Sequence, residues 1–99
     1  MKKSIQEKDI IEKLKQVKDP EIGLDIWMLG LVYKITLDAE GVEILMTLTT
    51  PFCPFADELI ADVEKRVGEL GYDEGDVRVD LTFEPAWEPS EEVKMMLGV

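Results

Sequence analysis

Cys53 is the residue best suited to chemistry in this sequence, because it is the only cysteine and the chain contains no histidine. It lies in the run Thr49-Thr50-Pro51-Phe52-Cys53-Pro54, between an apolar segment with strand character and a periodic segment with helix character. A thiolate is both a nucleophile and a soft metal ligand. Any sulfur or soft-metal chemistry of this protein therefore has to use Cys53.

The sequence around Cys53 predicts an environment that favours the thiolate. Pro54 at the first position of a helix would make Cys53 the N-cap, close to unpaired backbone N–H groups and the positive end of the helix dipole. The hydroxyls of Thr47, Thr49 and Thr50 could hydrogen-bond a thiolate or a bound sulfide. The alternative is a buried cysteine that acts as a small apolar side chain.

Three carboxylates form a second candidate group. Asp19, Glu21 and Asp25 are spaced to cap two short turns, since Asp is favoured at N-caps and Pro20 suits the first helical position. The functional alternative is that they line the same cleft as Cys53, as acid–base groups or hard metal ligands. Trp87 lies between two prolines and is either a lid on the core or a docking aromatic.

The residues that are missing exclude several kinds of site. Without histidine there is no Cys–His or Ser–His–Asp catalytic group, and no zinc site of the usual Cys and His composition can form within one chain. The glycine spacing fits no phosphate-binding loop. One cysteine cannot complete a four-thiolate iron–sulfur site. A cluster would have to be shared with a second subunit, a partner protein or a small thiol.

The charge balance restricts the partners. There are 22 acidic and 11 basic residues among 99, which gives a net charge of −11. This charge disfavours nucleic acids and anionic membranes, which need a basic surface. It fits a basic partner or a cation, or serves solubility alone. No run approaches the ~20 apolar residues of a membrane span. The first residues lack a signal core, and a lone cysteine fits a reducing compartment, so we expect a cytoplasmic protein.

The first part of the chain predicts a helix, two turns and a hairpin. The capping box Ser4-Ile5-Gln6-Glu7 opens a helix that runs to about Lys18. Single turns capped by Asp19 and Asp25 follow, and Gly30 closes the second. Residues 31–38 alternate as a strand, with Leu31, Tyr33, Ile35 and Leu37 on one face. A turn over residues 38–41 leads to a second strand with Val42, Ile44, Met46 and Leu48 on one face.

The second part predicts a helix, a strand and a short helix. The helix after Pro54 carries an apolar stripe and stops at Gly71. Val77, Val79, Leu81 and Phe83 mark a third strand, which the helical crossover allows to run parallel to the second. Ser90 caps a last helix through about Leu97. The prediction is one α+β domain over residues 1–99, in the order α-β-β-α-β-α, with a three-stranded mixed sheet covered by helices. The strand order stays open.

Three segments together resemble a known family, the small metal–sulfur cluster biosynthesis domain of SufT-like and PaaD-like proteins, related to a eukaryotic cytosolic iron–sulfur assembly component. The first signature is carried by Asp19-Pro20-Glu21-Ile22, Asp25-Ile26 and Leu29-Gly30-Leu31-Val32-Tyr33. The second is Met46-Thr47-Leu48-Thr49-Thr50 with Cys53-Pro54, and the third is Phe83-Glu84-Pro85-Ala86-Trp87. Ala86 departs from the third signature, where a second proline is common.

The resemblance implies an α/β fold and a role in maturing iron–sulfur proteins. The family's reactive cysteine corresponds to Cys53, and its other motif residues to Asp19, Glu21, Asp25, Thr47 and Thr49. Implied partners are client iron–sulfur apoproteins or a P-loop ATPase carrier. A homodimer is also possible.

Three functions are compatible with these residues. The first is an assembly or transfer factor in which Cys53 transiently holds iron or a cluster edge, or receives sulfur, with no stably bound cofactor. The second is an adaptor that binds no metal and recruits clients or scaffolds. The third is a small thiol enzyme, which is disfavoured because no general base of suitable pKa is visible beside the cysteine. We therefore expect a protein that is not an enzyme.

Overall fold

The computed structural model describes residues 5–20, 22–49, 55–73 and 75–98. Within these residues the chain forms three helices and three strands in the predicted order α-β-β-α-β-α. They are α1 (Glu7–Leu14), β1 (Val32–Asp38), β2 (Gly41–Met46), α2 (Ala56–Gly68), β3 (Val77–Leu81) and α3 (Glu91–Leu97). The predicted small α+β domain is confirmed.

The three strands form one mixed sheet in the order β1-β2-β3. The hairpin pairs β1 and β2 antiparallel, whereas β3 pairs with β2 in parallel after the crossover through α2. The predicted parallel pairing is therefore confirmed. It places the C-terminal ends of β2 and β3 and the start of β1 together, and we call this the motif end of the sheet.

A bulge at Tyr33 changes the predicted pattern of β1. Val32 lies opposite Met46, but Lys34 already lies opposite Leu45, so Tyr33 is an extra residue on its strand. Val32 consequently shares a face with Ile35, and the predicted grouping of Tyr33 with Ile35 is wrong. The Tyr33 hydroxyl donates a hydrogen bond to the Pro85 carbonyl oxygen at 2.9 Å.

The core lies between one face of the sheet and the helices. The predicted apolar face of β2 is buried, and Val42, Ile44 and Met46 have no exposed surface. The helices supply the opposing side chains at the predicted helical spacing. These are Ile10 and Leu14 from α1, Leu59, Val63 and Val67 from α2, and Val93 from α3.

Helix boundaries differ from the prediction where capping chemistry differs. The capping box placed on Ser4 lies partly outside the described residues, and α1 begins at Glu7, where the Asp9 carboxylate accepts the N–H of Gln6 at 2.9 Å. Helix α1 ends at Leu14, four residues before the predicted end at about Lys18, and α2 ends at Gly68, three residues before the predicted stop at Gly71. The predicted cap of α3 is confirmed, since Ser90 Oγ accepts the N–H of Val93 at 3.2 Å.

Candidate functional site

The segment after α1 closes into a small loop that holds the predicted acidic turns. The N–H of Asp19 donates to the Leu24 carbonyl at 3.0 Å, and the N–H of Ile26 donates to the Val17 carbonyl at 2.9 Å. Lys18 and Asp25 form an antiparallel bridge between these two bonds. The ladder places Asp19 and Asp25 at the two ends of one loop, so the structure brings the two predicted carboxylate positions into the same region.

Asp19 is the more buried of the two carboxylates, with 1% of its surface exposed. Its Oδ1 accepts the N–H of Ile22 at 3.2 Å, and its carbonyl accepts the N–H of Gly23 at 2.7 Å. These bonds close a single helical turn, so the predicted capping role of Asp19 is confirmed. Glu21 lies outside the described residues, and its role stays a prediction.

Asp25 is half-buried and caps the second turn. Its Oδ1 accepts the N–H of Met28 at 2.8 Å, while its carbonyl accepts the N–H of Leu29 at 3.0 Å. Gly30 closes the turn at φ +75°, a conformation that glycine adopts without a steric cost. The predicted capping by Asp25 and the predicted stop at Gly30 are both confirmed.

The end of β2 meets the end of this second turn. The N–H of Thr47 donates to the Leu31 carbonyl at 2.8 Å. Thr47 is fully buried, and its hydroxyl lies 3.5 Å from the Leu48 carbonyl oxygen, which is a long contact. Thr49 is half-buried. Of the two threonines, only Thr49 therefore retains access to a group at the surface.

The first helical residues after the cysteine motif differ from the prediction. Helix α2 begins at Ala56 with Phe55 as its N-cap, so the prediction that Cys53 is the N-cap and Pro54 the first helical residue is wrong. Cys53, Thr50 and Pro54 themselves lie outside the described residues, and their functional roles stay predictions.

A groove of about 230 Å³ joins the first acidic turn to α2. Lys18 and Pro20 line one side, and Glu58, Leu59 and Asp62 of α2 line the other. The Asp19-Pro20 turn therefore lies beside the first half of α2. The chain enters α2 from the motif end of the sheet, so the acidic turns and the start of α2 share that region.

Residues 82–89 form a strap across the motif end. The N–H of Thr82 donates to the Met46 carbonyl at 2.9 Å, where β3 ends beside β2. The strap then reaches β1, where Tyr33 binds Pro85, and the turn before β1, where Trp87 Nε1 donates to the Leu29 carbonyl at 2.6 Å. Trp87 packs against the core. These contacts support the lid interpretation, while docking through Trp87 stays a prediction.

The structure thus places the described parts of the three sequence motifs around one end of a sheet, and a family model for iron–sulfur cluster assembly proteins matches residues 7–81. The chain belongs to this family. An Fe–S protein maturation auxiliary factor of Porphyromonas gingivalis is 45% identical over 96 residues, covering 93% of this chain and 90% of that protein. The Fe–S protein maturation auxiliary factor YitW of Bacillus subtilis is 37% identical, and the match covers 100% of this chain and 99% of that protein.

The fold of this family member is also found in a solved structure. A conserved hypothetical protein of Thermotoga maritima superposes with a TM-score of 0.84 and 41% sequence identity over the full length of both chains. The predicted family resemblance is therefore confirmed. The range that the family model matches contains the first two sequence motifs and ends before the third. The contacts of the third motif are therefore seen only in the structure.

Among the residues that the structure describes, this family member has no preformed metal site. No group of three or more His, Cys, Asp and Glu side chains is arranged to hold a metal ion within residues 5–20, 22–49, 55–73 and 75–98. Among the helices that the structure describes, none is long and apolar enough to cross a membrane.

Sequence reasoning missed the exposure of three apolar side chains outside the core. Leu81 and Phe83 were expected in a third strand with a buried face, but β3 ends at Leu81, and the two side chains are 37% and 41% exposed. Phe55, before α2, is 36% exposed. Alternation in the sequence shows that Leu81 and Phe83 share a face, but it does not show whether another element covers that face.

A second missed feature is an ion pair at the other end of the sheet. Arg78 Nη2 lies 2.7 Å from Asp38 Oδ2, and Asp38 Oδ1 accepts the N–H groups of Glu40 and Gly41. The hydrogen bond from Arg78, followed by that from Glu40, lowers the pKa of the Asp38 carboxyl below its ordinary value of 3.8. Asp38 closes the hairpin, and its distance from the motif end argues for a structural role.

Proposed function

We propose that this protein acts in the maturation of iron–sulfur proteins, and that Cys53 holds or passes iron, sulfur or a cluster to client proteins. The observation that carries this proposal is the membership of the iron–sulfur cluster assembly family. The convergence of the acidic turns, the end of β2 and the start of α2 at the motif end supports it further. In the sequence, residues 50–54 with Cys53 lie between Thr49 and Phe55, which the structure describes.

The proposed chemistry is that of a single thiolate ligand. Deprotonation of Cys53 gives one sulfur ligand for iron, and the chain has no second cysteine and no histidine to add. The remaining ligands come from a second subunit, a partner protein or a small thiol, so the metal–sulfur species is cargo and is held transiently. Asp25 and Thr49, which are half-buried at the motif end, are the described motif residues best placed to approach it.

The proposed partners are client apoproteins of the iron–sulfur class or a P-loop ATPase carrier in the cytoplasm. Transfer requires that the partner's own cysteines displace Cys53 from the metal. One protein ligand is displaced more easily than several ligands that hold the metal from the same chain. The acidic surface of the chain favours partners with basic patches around their cluster-binding cysteines.

Anaerobic reconstitution with iron and sulfide tests the role of Cys53. We expect visible absorbance from the wild type reconstituted with a small thiol and no client, faster activation of a client apoprotein when the wild type is added than when the client is reconstituted by itself, and loss of both effects in Cys53→Ser. Thr36→Ser on the exposed part of β1 is the matched control, since it alters a side chain away from the motif end. Equal and negligible iron binding by the wild type and Cys53→Ser would sink the cluster-holding mechanism.

An adaptor that binds no metal is the second candidate function. Trp27 and Met28 are exposed on a turn whose backbone is hydrogen-bonded, which is typical of a recognition surface. In this case Cys53→Ala leaves both client binding and client activation intact. If Cys53→Ala abolished client activation while the fold and client binding survived, the adaptor function would be excluded.

A further inference from the structure

The turn over residues 25–30 divides its apolar side chains between two directions. Ile26 and Leu29 point into the core, with 0% and 1% of their surfaces exposed. Trp27 and Met28, at the crest of the same turn, are 36% and 37% exposed. Exposure of these two large apolar side chains to water is unfavourable, and a partner that covered them would gain hydrophobic free energy on binding.

The backbone of this crest is fixed before any partner arrives. The Asp25 side chain accepts the N–H of Met28, and the N–H of Gly30 donates to the Trp27 carbonyl at 3.1 Å. The N–H of Leu31 closes the turn on the Ile26 carbonyl at 3.0 Å. A preformed surface loses little conformational entropy on binding, so more of the contact energy contributes to affinity.

An open groove of about 490 Å³ lies beside the crest, and we call it the Trp27 groove. It is lined by Lys15, Asp25, Trp27, Met28 and Glu92. Its volume is within the range of about 300–1,000 Å³ that is typical of ligand pockets in proteins. Met96, which is 53% exposed, lies one turn beyond Glu92 on the same side of α3 and extends the apolar surface along the helix.

The charges around the Trp27 groove favour a basic binding partner. Asp25 and Glu92 are acidic, and the one basic lining residue, Lys15, has its ammonium 3.3 Å from the Glu12 carboxylate. The chain as a whole carries a net charge of −11. A second copy of this chain would bring the same acidic groove and the same net charge, so repulsion disfavours it. A partner with basic groups gains attraction in the same place.

We propose that the Trp27 groove is a docking surface for a segment of a partner protein that carries an apolar anchor side chain flanked by lysine or arginine. The anchor packs on Trp27 and Met28, and the flanking cations face Asp25 and Glu92. Tryptophan is typical of the residues that dominate binding energy. Methionine adapts to anchors of different shape, which suits a surface that serves several partners. That these partners are iron–sulfur clients or carriers rests on the function proposed above.

Binding of three labelled synthetic peptides tests the proposal. The first has leucine and phenylalanine flanked by lysine and arginine, the second replaces the cations with glutamate, and the third replaces the apolar residues with serine. Fluorescence anisotropy against the wild-type protein should show binding of the first peptide, weaker at higher salt, and little binding of the other two. Equal binding of the glutamate peptide would overturn the proposed charge selection.

Two variants locate the binding surface. Trp27→Ser should weaken binding of the basic peptide at least about tenfold, and Glu92→Lys should weaken it several-fold by reversing one wall charge. Matched controls are Leu37→Ser, a 38% exposed apolar residue at the hairpin end of β1, and Glu40→Lys in the hairpin turn. Circular dichroism checks the fold of all four. Wild-type affinity in both Trp27→Ser and Glu92→Lys contradicts the proposal.

Sedimentation and client-activation assays distinguish the proposed docking surface from a homodimer interface and from the cysteine mechanism. A dimer of the wild type that Trp27→Ser converts to a monomer assigns the groove to a second copy and overturns the proposal. If Cys53→Ser blocks client activation but Trp27→Ser does not alter peptide binding, the docking surface fails and the proposed function stands. If Trp27→Ser weakens peptide binding but Cys53→Ser leaves client activation unchanged, the cysteine mechanism fails and the docking surface stands.

Discussion

The indole Nε1 of Trp87 donates a hydrogen bond to the carbonyl oxygen of Leu29 at 2.6 Å, across 58 positions of sequence. This bond ties the strap after β3 to the turn before β1. The same turn carries Trp27 and Met28 on its outer side. The first and third sequence motifs therefore form one structural unit. Trp87 holds the turn through its hydrogen bond, and the turn exposes Trp27 on its outer side.

Replacement of Trp87 by phenylalanine should destabilise the fold. The ring keeps most of its packing, but the Leu29 carbonyl loses its indole donor, which typically costs about 1 kcal/mol of unfolding free energy for a half-buried group. Urea denaturation measures the change. Trp27→Phe is the control and should stay within about 0.5 kcal/mol, since Trp27 is exposed. Equal stability of the two variants would contradict the structural role of the Trp87 bond.

Replacement of Gly41 by alanine should be destabilising because the first residue of β2 touches a neighbouring backbone. A Cβ atom at Gly41 would overlap the carbonyl oxygen of Asp76, which also accepts the N–H of Val42 at 2.9 Å. Such overpacking costs about 1–3 kcal/mol. Gly68→Ala in α2 is the control, because its Cβ meets nothing within 4 Å. It should stabilise the helix by about 0.5–1 kcal/mol, and thermal unfolding of both variants checks the opposite signs.

The Asp38–Arg78 pair predicts a component of acid sensitivity. Because the folded-state pKa of Asp38 is lowered, the folded chain binds fewer protons than the unfolded chain. The contribution of this carboxylate is fully present above the ordinary value of 3.8 and is lost as the pH falls through the lower folded-state value. Asp38→Asn should therefore reduce the loss of stability over that acidic window, as measured by thermal unfolding against pH.

Coupling between the two side chains can be separated from their individual effects. A double-mutant cycle with Asp38→Asn and Arg78→Gln, measured at neutral pH and low salt, should give a coupling that high salt weakens, because both groups are exposed. Strict additivity of the two substitutions would contradict the predicted link between this ion pair and the acid sensitivity.

Substitutions of Asp25 distinguish its capping role from a chemical role. Asp25→Asn keeps an acceptor for the N–H of Met28 and should leave the unfolding free energy within about 0.5 kcal/mol. Asp25→Ala removes the cap and should cost about 1 kcal/mol. If the carboxylate also contributes to cargo handling, Asp25→Asn lowers client activation at full stability. Unchanged activation by Asp25→Asn would restrict Asp25 to capping.

Local sequence signals determined most of the fold. The order of helices and strands, the caps at Asp19, Asp25 and Ser90, and the buried face of β2 were all predicted correctly. Each of these features depends on residues a few positions apart, whose hydrogen bonds and periodicity are the same in any tertiary context. The motifs likewise identified the family because they are short runs of sequence.

The tertiary structure decided the strand order, the bulge at Tyr33 and the exposure of Trp27, Leu81 and Phe83. An apolar side chain has the same chemical character whether or not another element covers it, so sequence alone could not separate the core residues from those left on the surface. The start of α2 at Ala56 likewise shows that the proline after Cys53 did not fix the helix boundary. These features depend on how distant segments pack, and the proposed docking surface exists because the packing of the 25–30 turn buries Ile26 and Leu29 and leaves Trp27 and Met28 outside.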